Sequence, residues 1–586
     1  MFRDDQPSYV PSDPGLPPPQ IDNPTDSERY ALAKYALTLA GRPGDFDNII
    51  RLLSSPPDIT TIANPGEFKN IKVGIIGGGV AGLSSAFELR KLGFDITVFE
   101  ALEDRIGGRI FTYYFDKKKD LYGELGAMRI PVTHESSWHY INLFNLNTRP
   151  YIQDNENGFL YLNNVRVRND AEGKNVMEKI YPKYNLRKWE RNTPWTELLD
   201  YALETPLLNM SPEVRTQLLK VHPKYSYLIN YWDYHNIRQV MEMSGLSQSA
   251  ITLLANLSPF TGSFFYYSFI EVLQESNPLL FTFLYEVIGG MVNIPLAIYN
   301  SLINPAPKEY ENIPYHNLGD VKVLTGTWID GIYDSKEDNT VILKYKNRHM
   351  AKHLYEKFDY IICANPFSTL RNIEIYPLFR NSKMQAIKEV GYSAAQKTLF
   401  LCNRRFWEEG SPNERIIGGG SFTDMPISSI WYPSDHGYCV TNNNKYSRRL
   451  KDDCSPLNPG VITASYNFTS DAIRVGNLYD NMAFEKIKRQ VEQVHGLPRN
   501  YLDRIVEDFV TLNWNQEPWS LGGFSYFRPE QKRLFSYVMS LPEYNNKVFF
   551  AGEHLSSAHG WMNGAFQTGM KAANNIARVA KIHRGI

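Results

Sequence analysis

The sequence predicts a mixed architecture, α/β plus α+β, in which a discontinuous Rossmann-like domain carries an antiparallel-sheet domain and a helical insertion. Three observations predict it. VGIIGGGVAGLSSAFELRKLGFDITVFE (73–100) reads as strand, glycine loop, helix and second strand. Near the C-terminus, KVFFAGEHLSSAHGWMNGAFQTGMKAANNIARVA reads as a strand, a turn and an alanine-rich helix. Between the two, a helical pattern gives way to short alternating β-type runs.

In chain order, residues 1–70 read as a proline-rich acidic tail and a helical lead-in (25–40 and 45–54). The lead-in precedes a complete dinucleotide-binding unit. Val73–Ile76 is a buried parallel-type strand, and Gly77, Gly79 and Gly82 follow in GxGxxG spacing. The first glycine serves the tight turn, the second the approach of backbone to a pyrophosphate, and the third the packing of helix on strand. The helix that includes Ala81 offers its N-terminus to phosphate, and Glu100, closing the second strand, suits ribose hydroxyls and repels a 2′-phosphate. NADP is therefore disfavoured.

Just beyond the acid, Gly107–Arg109 spells GGR. This resembles the second fingerprint of the flavin amine oxidase superfamily, whose GR2-type domain binds FAD, with the arginine charge at the pyrophosphate. The closing strand (548–551), the Gly552–Glu553 turn and the final helix resemble the segment that completes that site. FAD is the cofactor this resemblance implies, with Arg109 and Glu553 among its contacts.

Composition agrees with a large flavoprotein. The chain has 586 residues, enough for two or three domains, and 43% hydrophobic residues with 37 Tyr, 31 Phe and 10 Trp to fill their cores. A net charge of −1 gives no general attraction to nucleic acid or anionic membranes. Cys363, Cys402, Cys439 and Cys454 lack CxxC spacing and read as free thiols, and the pairs His134/His139 and His554/His559 lack the spacing of a shared helical face, so no metal site is expected. The N-terminus has no apolar core of a signal peptide, which makes the cytoplasm the default location, with unconventional secretion left open. The most apolar stretch, 278–299, contains Glu286, Asn293, two glycines and Pro295, and is expected to be a buried helix followed by a turn rather than a membrane span.

The expected domains are 71–140, 310–395 and 530–586 for the FAD domain, 141–195 and 396–529 for the substrate domain, and 196–309 for the helical domain. Strands at 321–346 and 358–364 return to the FAD domain. TLFLC, SSIWYP and VITASY floor a cavity.

The strings GELGAMRIP, KTLFLCNRRFWEE, WYPSDHG, ITASYNFTSDA, WSLGGFSYFRP and GEHLSSAHGWMNG resemble, in order, the L-amino-acid oxidases, from about residue 71 to the C-terminus. The resemblance implies that Arg129 grips the substrate carboxylate in two prongs, a geometry that suits guanidinium better than ammonium. It further implies that Tyr466 joins Arg129 on the carboxylate, that the Gly560 carbonyl accepts from the amine, and that Trp561 walls the cavity. Lys397 would hold a water near flavin N5 and assist the reaction with oxygen. Trp431 stands where a tyrosine is often found. Met128 and Met562 would make backbone contacts to the isoalloxazine, Trp328 would do so on the adenine side, and Arg129 and Trp561 also border the cofactor.

The implied reaction is oxidative deamination of an L-amino acid to a 2-oxo acid, ammonia and hydrogen peroxide, by positioning more than by acid–base chemistry. An L-amino-acid 2-monooxygenase, which releases an amide and carbon dioxide, shares the fold and the carboxylate grip. A flavin-holding interaction protein without turnover is the alternative of another class. The expected partners are the amino acid and oxygen, and the resemblance implies a homo-oligomer, a dimer. Asp233, Glu271 and Glu275 lie in the helical region that could face a side chain, though acids on helices usually form a solvated face. The preferred amino acid is not legible.

Overall fold

The computed structural model describes residues 15–442 and 445–584. The tail through residue 14 lies outside that range, as do the side-chain surroundings of Cys439. A five-stranded parallel sheet forms the centre. Its members are β1 (Lys72–Ile76), β2 (Asp95–Phe99), β3 (Val321–Leu324), β4 (Tyr360–Cys363) and β5 (Val548–Phe550), in the order β3-β2-β1-β4-β5. Val73 pairs with Ile96 on one side and Tyr360 on the other, so strands drawn from the whole length of the chain meet at β1. Their near-continuous apolar runs fit a sheet covered on both faces.

Helix α1 (Val80–Lys91) and the closing helix α2 (Met562–His583) cover one face. They approach closely because α2 has no side chain at Gly569. A Cβ on Gly569 would sit 2.3 Å from the Ala81 carbonyl oxygen, and Ser85 Oγ donates to the Gly569 carbonyl at 2.9 Å. The lead-in helices Asp26–Leu39 and Phe46–Leu53 join the same core, where Arg29 is 1% exposed and paired with Glu135. The other face is covered by a four-stranded sheet (327–335, 340–347, 354–358 and 374–376) through Ile329, Ile332 and Leu343.

A seven-stranded sheet makes the second layer. It combines Ala395–Cys402, Gly460–Phe468 and Val506–Asn513 with Phe159–Leu162 and Val165–Arg168, so residues before and after the helical region share one sheet. Its pairs are antiparallel except for Gly420–Thr423 beside Phe159–Leu162. Short helices between 195 and 276 bury a separate core around Leu253, Leu254 and Phe269. No helix among the described residues is long and apolar enough to cross a membrane.

The segment 278–299 departs from expectation. Leu284–Val287 is a strand between Ile130–Pro131 and Thr148–Tyr151, and the helix begins only at Asn293, after Gly289 and Gly290. A short apolar run has no period that separates a buried strand from a buried helix. Glu286, unexpected in an apolar run, forms an ion pair with Arg149 at 2.6 Å on the neighbouring strand.

The glycine loop separates packing from binding. A Cβ on Gly82 would lie 2.0 Å from the Gly77 carbonyl oxygen, whereas one on Gly79 would meet nothing nearer than Gly108 Cα at 3.9 Å. Gly82→Ala should therefore lower the melting temperature of flavin-free protein, by the equivalent of roughly 3 kcal/mol of overpacking. Gly79→Ala should leave that temperature unchanged and lose bound flavin, as read by thermal denaturation and by absorbance of the purified variants.

Candidate active site

The glycine loop opens on a cavity of about 340 Å³. One part of its lining is Gly77, Gly79, Ala81 and Glu100, with Trp328 from the four-stranded sheet. The other is Lys397, Tyr466, Gly560, Trp561 and Met562, and Arg109 and Glu553 lie on the wall as well. Gly82 does not line it; as read from the sequence, its place is at the helix–strand contact.

The residues present fit a dinucleotide. The N-cap of α1 is Gly79 and carries no side-chain hydrogen bond, so the first-turn N–H groups of α1 are left to a ligand. The N-cap of α2, Trp561, likewise makes no side-chain capping hydrogen bond. Gly107 and Gly108, both at positive φ, lie against the first loop, with Gly107 N–H donating to the Gly78 carbonyl at 3.0 Å. Glu100 accepts from the N–H of Gly78 and Leu102, each at 2.8 Å, and burial raises its pKa.

Glu553 joins the parts. One oxygen accepts from Arg109 at 2.9 Å; the other accepts from the Ser525 hydroxyl at 2.6 Å and the Gly560 N–H at 3.0 Å. Burial alone would raise its pKa, but Arg109, His559 and His554 hold it at about 2. Arg109 also donates to the Gly523 carbonyl at 3.2 Å.

The seven-stranded sheet fixes the far wall by register, since Lys397 pairs directly with Tyr466 and Trp431 with Thr463. Lys397 Nζ donates to the carbonyls of Glu124 and Gly126 at 3.0 and 2.7 Å and lies 4.5 Å from the Tyr466 ring centre. Burial lowers its pKa and raises that of the Glu124 carboxyl beside it.

Arg129, Met128 and Trp431 stand behind this cavity rather than on its wall. Met128 Sδ is 3.4 Å from Lys397 Nζ, and Met128 and Trp431 line an adjoining cavity of about 270 Å³. The Arg129 guanidinium is enclosed by four rings, with Phe281 at 4.9 Å, Trp431 at 5.5 Å, Phe260 at 5.8 Å and Trp561 at 5.9 Å. It is 9% exposed and donates to Gln153 Oε1 at 2.7 Å; among the described residues no carboxylate lies within ion-pair distance, and the buried Glu275 acts on it only from farther off.

Gln153, Phe260 and Phe281 carry no sequence signal, because they reach Arg129 from separate elements. Tyr151, whose buried hydroxyl faces Arg129, belongs to the same cluster. The three helical acids divide. Asp233 caps backbone N–H groups of Lys532 and Arg533, Glu271 accepts from His559 Nδ1 and Phe527 N–H, and Glu275 accepts from the Trp561 indole at 3.1 Å. None of them forms a solvated face. Among the described residues, no three His, Cys, Asp or Glu gather as metal ligands.

The profile of the flavin containing amine oxidoreductases matches residues 80–577. The chain belongs to this family. The amine oxidoreductase is 27% identical to an L-amino-acid oxidase of Bothrops atrox over 93% of its own length and 94% of that protein's. It is 28% identical to another from Gloydius halys, over 86% and 89%. Among solved structures it resembles a putrescine oxidase variant (TM-score 0.63, 15% identity, 87% and 99% of the two chains) and the cyclohexylamine oxidase of Brevibacterium oxydans (TM-score 0.59, 17% identity, 87% and 99%). These two show the fold alone. The family is flavin-containing, and the glycine loop, Arg109 and Glu553 are the residues that could hold the flavin.

Two buried carboxyls give opposite pH signatures. Glu553 has a folded pKa below its unfolded value, so its stabilisation is full above pH 4.5 and is lost toward pH 2. Glu553→Gln should cost roughly 3 kcal/mol at pH 6, with the gap to wild type closing as pH falls through that window. Burial pushes Glu275 up to about 7, so its favourable contribution is full below pH 4.5 and lost as pH rises through 7. Glu275→Gln should match wild type at pH 4.5 and exceed it by roughly 1–3 kcal/mol at pH 8. Thermal melts of both variants across pH 3–8 check the two signs.

Proposed function

We propose that this amine oxidoreductase is an FAD-dependent L-amino-acid oxidase, forming a 2-oxo acid, ammonia and hydrogen peroxide. The observation that carries the reading is Arg129, a nearly buried guanidinium that meets rings and one amide and, among the described residues, forms no ion pair with a carboxylate. An uncompensated cation in such a site is costly, and a substrate carboxylate is the partner that relieves it. Putrescine and cyclohexylamine have no such group, so these amines would leave Arg129 unpaired. The L-amino-acid oxidase relatives support the same choice.

The glycine loop, Arg109 and Glu553 would hold the flavin, and with it the site would gain a two-electron acceptor for oxidation at Cα that oxygen can reoxidise. The chain's own residues position and exclude. Arg129, with the Tyr466 hydroxyl and the Tyr151 hydroxyl nearby, would orient the carboxylate, and the Gly560 carbonyl would accept from the amine. Phe260, Phe281, Trp431 and Trp561 keep water from the cation, which strengthens its grip. Lys397, fixed on two carbonyls and more easily neutral than an exposed lysine, would hold a water or a proton at the cavity wall. A 2-monooxygenase would use the same grip; an amide among the products would identify it.

Arg129→Ala should lower kcat/KM for the best L-amino acid by ~10- to 100-fold from the lost charge-assisted pair, and further through misalignment. Arg129→Lys should recover only part. The check is kcat/KM for that amino acid and for its decarboxylated amine in wild type and Arg129→Ala, with flavin content measured in each. A loss confined to the amino acid is expected, and an equal loss of both substrates overturns the reading.

A further inference from the structure

A cavity of about 510 Å³ lies between the closing helix α2 and the 219–222 turn, apart from the cavity lined by the glycine loop. Its charge is one-sided. Lys220, Lys571, Arg578 and His222 line it, and no Asp or Glu does. Lys571 and Arg578 sit two helical turns apart on one face of α2, so both point to the same opening. Arg578 meets only the Asn575 side chain, and among the described residues neither Lys220 nor Lys571 has a side-chain partner of any kind. The floor is apolar: Leu219, Phe549 and Leu555, each nearly buried, form it with Phe550.

Lys571 is unusual among surface lysines. It reaches solvent through the mouth of the cavity, yet the walls crowd its ammonium enough to lower its pKa to about 8, with no carboxylate to offset that. A lysine on an open helix face is held by water on all sides and shows no such effect. An exposed ammonium with no carboxylate beside it, at the rim of a cavity with an apolar floor, is complementary to an amphiphilic anion: a carboxylate on the ammonium, with a hydrocarbon body against the apolar side chains. A small hydrophilic anion would satisfy the cation and leave the floor uncovered.

We propose that this cavity is a second ligand site, separate from the flavin site, and that it binds an organic monocarboxylate with Lys571 on the carboxylate and Leu219, Phe549 and Leu555 against the apolar body. The floor continues into Ser556 and Ser557, three and four residues after Glu553, so the site abuts the turn that carries the flavin-side carboxylate. The proposal goes beyond the oxidase reading and does not depend on it.

The experiment is equilibrium dialysis of radiolabelled benzoate against the flavin-loaded protein in four forms: wild type, Lys571→Ala, Arg129→Ala and the double variant. Lys571 is on the surface of its helix, so its replacement leaves the core untouched. Benzoate should still bind Arg129→Ala at one site per chain. Lys571→Ala should weaken that site by at least ~10-fold, and the double variant should bind none. Millimolar inorganic phosphate should compete poorly. In parallel, acetic anhydride at pH 8 should acetylate Lys571 ahead of other lysines, and benzoate should protect it, as read by peptide mass mapping.

Three outcomes overturn the proposal: no binding to Arg129→Ala, equal affinity with and without Lys571, or displacement by phosphate as readily as by benzoate. Failure of the oxidase reading would look different, because Arg129→Ala and wild type would then bind benzoate with the same stoichiometry while Lys571→Ala still lost its site.

Discussion

The ion pair between Arg109 and Glu553 is the constraint on which the rest of the site depends. It joins residues 444 positions apart, and each partner is also committed to a third segment, Arg109 to the Gly523 carbonyl and Glu553 to Ser525 and Gly560. With Glu553 inside the protein, the pair's attraction is little screened and its loss would strand a charge. The pair thus joins the first and last parts of the chain at the wall of the cavity that the glycine loop lines. The turn that bears Gly560 and Trp561, which adjoin the substrate in the oxidase reading, takes its position from the same carboxylate.

In the oxidase reading, a second cation organises the substrate side by an opposite device. Arg109 is neutralised by its surroundings, while Arg129 is insulated by them. Four rings exclude water from its guanidinium and offer only the weak attraction of their faces, and Gln153 takes a single N–H. The chain folds with this cation already oriented, so a carboxylate entering the cluster meets a site that needs little reorganisation. Lys397 and Tyr466 reach the neighbouring wall as a direct cross-strand pair, which makes their spacing a property of sheet register rather than of a flexible loop.

Much of this was legible in the sequence where the chemistry is local. The GxGxxG loop announced itself because its glycines answer to distances within one turn, and the 2.0 Å approach at Gly82 is such a distance. Gly560, Trp561 and Met562 were placed by motif, and they do lie on one cavity wall with Lys397 and Tyr466. The strand at Leu284–Val287 was missed because its burial comes from two partners distant in sequence, and burial on both faces erases the alternation that marks a strand. Gln153, Phe281 and Phe260 were not legible either, as three ordinary residues with no shared spacing.

The sequence by itself determined the nucleotide-binding unit, the returning final strand and helix, and the identity of the charged groups, because each follows from short-range pattern and backbone sterics. Only the tertiary structure decided which charges would meet. Asp233, Glu271 and Glu275 are equivalent in a sequence, yet the first caps a helix, the second holds a histidine and the third accepts from an indole beside Arg129. Their differences arise from desolvation and from partners hundreds of residues away, as with the unpaired Lys571 above its apolar floor. Those quantities exist only when the chain is folded.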